Sequence, residues 1–174
     1  MDFINEQVHQ IPAAEDQELI PVEAGYLKVL RIQWLIGIVI LAMGAAAIIY
    51  FSPFFKKTAN GIGVIAFWLL IAVCWYFLMH KSFYKKAYAI RSHDITYRSG
   101  WLIENLRTTP FSRVQHSNVV SGPIDRKFGL ASLIIYTAGT GGADIKIPGL
   151  TAEKANDIKE WINKRVADAS GTGE

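Results

Sequence analysis

Hydrophobic positions change their period along the chain, and those changes divide it into unlike parts. Two continuous apolar runs, residues 34–51 and 61–79, hold 18 and 19 residues without a charge. A hydrocarbon core about 30 Å thick needs roughly 20 residues of helix rising about 1.5 Å each. Each run is therefore predicted to span a membrane with little tilt. The competing arrangement buries both helices in a soluble domain, and 174 residues supply too little chain to cover two helices apolar on every face. Pro53 ends the first run, and the nine-residue connector, residues 52–60, makes the spans antiparallel neighbours. Upstream, Leu27, Leu30 and Trp34 predict a short interfacial helix over residues 23–33. The head before it, with Pro12 and Pro21, reads as an irregular arm.

After Lys85 the pattern becomes short stretches bounded by turns. Residues 87–91 and 95–99 read as strands separated by Ser92-His93-Asp94, and Ser99-Gly100 is a tight-turn pair leading into a third strand over 101–108. Pro110 interrupts, residues 114–121 form the next strand, and residues 123–129 a single helical turn. Residues 130–137, with Leu133, Ile134, Ile135 and Tyr136 contiguous, read as a strand buried on both faces. Residues 138–143, with three glycines, form a hairpin turn, residues 144–147 the return strand, and Pro148-Gly149 closes it. A last helix starts at Thr151, which caps its free N–H groups. Ala155, Ile158, Ile162 and Val166 make one apolar stripe on it, with Trp161 alongside, and the preceding sheet is the surface that stripe must cover. The expected organisation is an acidic arm (1–27), a two-span hairpin (28–85), one small α+β domain (86–168) and a tail (169–174). The small residues Gly37, Gly44, Ala42 and Ala46 leave two readings open, close helix approach or apolar filler.

Charge distribution sharpens this picture more than the net +3 does. Residues 1–27 carry six acids and no Lys or Arg; residues 80–127 carry nine bases against Asp94, Glu104 and Asp125. An acidic start is wrong for a cleavable signal peptide, so the first span is expected to stay as an anchor. Lys28, Arg31, Lys81, Lys85, Lys86 and Arg91 flank the spans on one side against Lys56 and Lys57 in the connector. Lys and Arg stay on the cytoplasmic side, which predicts a multi-pass protein with both termini cytoplasmic. The single cysteine, Cys74, lies inside the second span and makes neither an internal disulfide nor a Cys-based zinc site.

Two spans, about six strands and one capping helix follow the order of a membrane-anchored pleckstrin-homology-like (PH-like) barrel. The blocks Ile95-Thr96-Tyr97-Arg98-Ser99-Gly100, Pro110-Phe111-Ser112-Arg113-Val114-Gln115-His116-Ser117-Asn118-Val119, Gly122-Pro123-Ile124-Asp125-Arg126-Lys127-Phe128-Gly129-Leu130-Ala131 and Tyr136-Thr137-Ala138-Gly139 carry the resemblance. Through them the chain resembles the YdbS-like bacterial PH-domain membrane proteins over residues 30–168. The resemblance implies a PH-like antiparallel barrel or split sheet, plugged at one end by the C-terminal helix, with Phe128 inward and Arg126 and Lys127 outward. It also implies a bacterial inner-membrane location, and no catalytic residue.

Motifs for catalysis are missing from the sequence. Gly139-Thr140-Gly141-Gly142 lacks the Lys-Ser/Thr of a phosphate loop, and His9, His80, His93 and His116 are scattered without metal-ligand spacing. Ser92-His93-Asp94 has triad residue types, but neighbours in a strand turn do not converge on one substrate atom. Neither span carries an acid or a His. No enzyme activity, cofactor or metal is expected. The candidate contacts for anionic lipid or a partner are Lys85, Lys86, Arg91, Arg98, Arg113, Arg126 and Lys127. In eukaryotic PH domains a Lys…Arg-x-Arg pattern grips inositol phosphates; Arg91 and Arg98 are seven apart instead of two, which argues against that specificity. Interspersed acids argue against nucleic acid as a partner. The expected function is a non-enzymatic module for protein interaction and assembly, with another membrane protein or with copies of itself. Anionic-lipid sensing by the basic face is the alternative, and membrane lipids are partners in either case.

Overall fold

The computed structural model describes residues 18–52, 54, 58–138 and 143–171. A two-residue strand β1 (Ile20–Pro21) leads into helix α1 (Tyr26–Phe51), which is followed by helix α2 (Thr58–Tyr84). The interfacial helix expected before the first span is the first two turns of α1, because no proline separates them. Helix α1 has 26 residues and α2 has 27, about 40 Å each at 1.5 Å per residue. Tyr26 meets Phe83, Trp34 meets Tyr76 and Gly37 lies under Trp75, so rising numbers on one helix meet falling numbers on the other. The helices are antiparallel, as the short connector requires.

Their contact is specific near the domain end. The Trp34 indole N–H donates to the Ala72 carbonyl at 3.2 Å, which gives a polar group in an apolar stretch its partner. A Cβ at Gly37 would collide with the Trp75 ring, whereas one at Gly44 would meet nothing within 4 Å. Gly37 therefore serves close approach within the hairpin, and Gly44 does not. Elsewhere the apolar side chains face outward: Ile40 is 63% exposed, Met43 68%, Leu70 67% and Val73 68%. That exposure rules out buried helices of a soluble core and fits two helices long and apolar enough to cross a membrane.

The remaining elements are β2 (Ala87–Ile90), β3 (Asp94–Ser99), β4 (Asn105–Pro110), a 3-10 turn (Phe111–Arg113), β5 (Val114–Val120), α3 (Pro123–Lys127), β6 (Leu130–Thr137), β7 (Ala143–Thr151) and α4 (Ala152–Gly171). They form two antiparallel sheets, ordered β1-β2-β3-β4 and β5-β6-β7. The sheets do not close into one barrel. Side chains bridge the seam instead: the Arg107 guanidinium donates to the Asp144 carbonyl at 2.9 Å, and the Thr109 hydroxyl to the Asp144 carboxylate at 2.8 Å. Tyr88, Ile95 and Tyr97 from one sheet and Leu133, Ile135, Ile145 and Ile147 from the other enclose the core, which Ala155, Ile158 and Ile162 of α4 cover. This is the split PH-like fold with its C-terminal helix as the plug. The Thr151 hydroxyl caps α4 by accepting the Lys154 N–H at 3.2 Å.

Four expectations need correction. The third strand of the domain begins at Asn105, not Trp101, because Gly100 (φ +91°) starts a loop that continues through Glu104. Pro110 is the last residue of that strand instead of an interruption. Pro148-Gly149 does not close β7, which runs on to Thr151. Between the pairs Ala131↔Leu150 and Leu133↔Ile147, β7 uses three steps against two on β6, and Gly149 (φ +71°) sits in the resulting bulge. The end of the acidic head is ordered: Ile20 and Pro21 pair with Tyr88 and Ala87, raising the described strands to seven. The turn glycines 139, 141 and 142, residues 1–17 and the tail at 172–174 lie outside the described residues.

Candidate membrane-facing site

Strand pairing orders the domain along an axis that begins where α2 ends. Lys85 and Lys86 follow α2 directly, and Ala87, the first residue of β2, pairs with Arg98 near the end of β3. The pair Ser99↔Asn105 closes the β3–β4 hairpin, so the loop of residues 100–104 returns toward the helices. Strand β2 carries the chain away, and the β2–β3 turn with Arg91 therefore lies at the opposite end. There the Phe111 N–H donates to the His93 carbonyl at 2.9 Å and the Arg165 guanidinium to the Ser92 carbonyl at 3.2 Å.

The seven nominated bases divide along this axis. Lys85, Lys86 and Arg98 lie at the helix end, joined by Arg126 and Lys127, whose helix α3 packs against the start of α1. Arg91 and Arg113 lie at the far end. Pairing divides the set again: Arg91 meets Asp94 at 3.8 Å, and Arg98 meets Glu104 at 3.5 Å. Lys86 is half-buried, and burial lowers its pKa. Lys85, Arg126 and Lys127 are exposed and take part in no ion pair among the described residues, and Lys28 and Arg31 are exposed on the adjoining turns of α1. Phe128, expected inward, is only half-buried and stands outside the core cluster, while Arg126 and Lys127 are exposed.

A buried joint fixes the domain to the helices at this end. Val22, Val29 and Phe83 are buried, and the Tyr26 ring lies against Gly149. The Glu23 N–H donates to the Gly149 carbonyl at 2.9 Å, and its carboxylate lies 3.7 Å from Lys154. The Tyr88 hydroxyl and, less strongly, Glu23 raise the Lys154 pKa. Burial first, then Tyr26, holds the Tyr97 phenol above the usual range. The last residues of the acidic head thus dock on the domain through backbone pairing and one ion pair.

Sequence reasoning missed two features here. One is the Glu23–Lys154 contact, for which no local pattern exists, since the two residues are far apart along the chain. The other is the apolar tip Trp101-Leu102-Ile103, whose signal was available: three apolar residues without alternation, set between Arg98 and Glu104 just after a turn glycine. The Trp101 ring meets Phe77 of α2 edge-on, with centroids 5.6 Å apart. Beside it, Tyr76, Phe77, His80, Lys81 and Tyr84 line a groove of about 300 Å³. At this end the His80 ring stacks on Tyr84, with centroids 5.2 Å apart. Among the described residues no three His, Cys, Asp or Glu gather in a metal-holding group.

Comparison with known proteins bears on the order of hairpin and sheets. The model of a family described as "Bacterial PH domain" matches residues 22–166, which takes in the helical hairpin as well as the sheets. The UPF0699 transmembrane protein YdbS of Bacillus subtilis (strain 168) is 32% identical over 146 residues, covering 82% of this chain and 90% of that protein. No solved structure gives a significant match.

Proposed function

The chain belongs to the bacterial PH domain family, among transmembrane relatives, and from that premise we propose that it is a non-enzymatic assembly module held at the cytoplasmic face of the cell membrane. The observation that carries this reading is the open edge of β4. Among the described residues β4 pairs only with β3, Asn105–Thr108 are exposed on both faces of the sheet, and it is side chains, Arg107 and Thr109 on Asp144, that reach across the seam to β7. An unpaired strand edge offers backbone N–H and C=O groups to an added strand, the mode by which many sheet domains capture partners. The partner is a second membrane protein or another copy of this chain, brought to the same leaflet by its own anchor.

A second reading, recognition of anionic headgroups, is favoured by Lys85, Arg126 and Lys127 standing exposed at the helix end, with Lys28 and Arg31 adjacent. Bases near an anionic leaflet contribute about 1 kcal/mol each.

One experiment separates the two. A photo-cross-linking residue replaces Thr108 in the full-length protein, which is irradiated in its native membranes and purified in mild detergent. An adduct of defined mass, either twice the monomer or the monomer plus one stoichiometric membrane protein, is the expected outcome. A monomer without adduct that retains anionic lipid would sink the assembly reading in favour of the headgroup one.

A further inference from the structure

We propose that the β3–β4 loop is a bilayer-inserting wedge: the side chains of Leu102 and Ile103 enter the acyl region beside α2, with the Trp101 ring at the interface, and clamp the domain against the leaflet. The occupant of this apolar tip is lipid hydrocarbon, and three independent observations lead there.

The first is depth. Trp101 packs edge-on against Phe77 at 5.6 Å, and Phe77 belongs to the uncharged stretch 61–79. Phe77 precedes Tyr84, the last residue of α2, by seven residues, about 10 Å of helix axis. A loop that touches it lies below the level at which the chain leaves the membrane. Lys81, one turn outward, carries its amine over the same ring at 5.5 Å, in the manner of a base whose apolar stem lies in hydrocarbon and whose charge reaches for the headgroups. A tryptophan at this level suits the interface, where an apolar ring and an N–H donor meet both environments.

The second is exposure. Leu102 is 80% exposed and Ile103 71%, while the sheet behind them has its own filled core. Loop tips in water favour Gly, Asn, Asp and Ser for their backbone and solvation properties; past the turn glycine Gly100, residues 101–103 carry none of them. Charge is kept to the base instead, where Arg98 and Glu104 pair at 3.5 Å. Pairing lowers the cost of bringing both charges near a low-dielectric slab.

The third is loop shape. Hydrocarbon offers no partner to a free carbonyl or N–H, so the backbone of residues 100–104 keeps to the wet interface and only its side chains reach the acyl chains. Gly100, at φ +91°, brings the chain back so tightly that a Cβ there would collide with the Ile103 carbonyl, and the Asn105 side-chain amide donates to that same carbonyl at 3.3 Å. Leu106, 42% exposed and opposite Arg98 in the hairpin, extends the apolar surface toward the headgroup level.

With the two helices this makes three attachments, and the third removes rotation of the domain about the link between α2 and β2. It depends on apolar burial and not on headgroup charge, which separates it from the anionic-lipid reading. It also holds whether or not β4 takes a partner.

The test uses full-length protein with Cys74→Ala, reconstituted in vesicles of neutral phosphatidylcholine. An environment-sensitive NBD fluorophore is attached at Leu102→Cys, or at Gln115→Cys as an exposed site on β5. Both positions are surface-exposed, so neither substitution opens the core. At position 102 the expected result is blue-shifted emission, strong quenching by doxyl groups on the acyl chains and loss of quenching by aqueous iodide. Position 115 is expected to give the reverse. A label at 102 that behaves like the label at 115 would overturn the wedge. So would one quenched by acyl-chain doxyl groups only when anionic lipid is added, since the basic face would then be holding the loop down.

Discussion

Single residues decide how the domain meets its helices, and Gly149 is the clearest case. Its φ of +71° lies where side chains with a Cβ are strained, and an added Cβ would lie 2.5 Å from Cγ of Tyr26. The left-handed conformation costs about 1–2 kcal/mol for an L-residue, and forcing atoms into a packed contact about 1–3 more. Gly149→Ala is therefore expected to lose about 2–5 kcal/mol in urea unfolding of the detergent-solubilised protein. Gly44→Ala, with nothing within 4 Å, is expected to cost nothing and to gain up to about 1 kcal/mol from helix propensity. Equal stability of the two variants would remove the account of Tyr26 docking on the β7 bulge. Little of this was readable beforehand: Pro148-Gly149 carries a turn signal, and only the partner ring, distant in sequence, distinguishes a bulge from a strand end.

Individual elements were legible to the degree that their pattern was local. Strand β6 keeps the bounds Leu130–Thr137 read from its contiguous apolar residues, and α4 begins at the Thr151 cap. Strand β4 was misplaced by four residues at its start because Trp101 and Ile103 have high strand propensity while Gly100, at φ +91°, turns the chain into a loop. Helix α4 owes its position to a stripe rather than to its ends. Ile162 is fully buried, Trp161 meets Phe111 edge-on at 5.2 Å, and Arg165 lies over Trp161 at 5.0 Å. Ile162→Ala is expected to cost about 2–5 kcal/mol by opening a cavity under the plug. Urea unfolding followed by tryptophan emission measures it, and a cost below about 1 kcal/mol would mean that α4 is not closing the core.

The whole molecule is an orientation problem. Cys74 is exposed on α2, yet its place in the uncharged stretch puts lipid around it. In intact membranes it is expected to resist a membrane-impermeant maleimide, and it should react once detergent unfolds the protein. With Cys74→Ala in place, Lys159→Cys on α4 is expected to stay unlabelled in intact cells and to label after permeabilisation, as the proposed cytoplasmic placement, read from the bases flanking the hairpin, requires. Labelling in intact cells would invert the topology and remove the cytoplasmic assembly reading with it.

The sequence by itself determined the two apolar helices, their antiparallel return, the change to short strands and the capping helix. All of these rest on hydrophobic period, charge and turn chemistry acting over a few neighbouring residues. Which bases gather at the helix end, which pair with Asp94 or Glu104, how Glu23 reaches Lys154 and where Trp101 lands were decided by tertiary structure alone. Those facts depend on strand register and on the angle at which a domain docks on its anchor. Both are set by contacts between residues tens of positions apart, which local patterns do not encode.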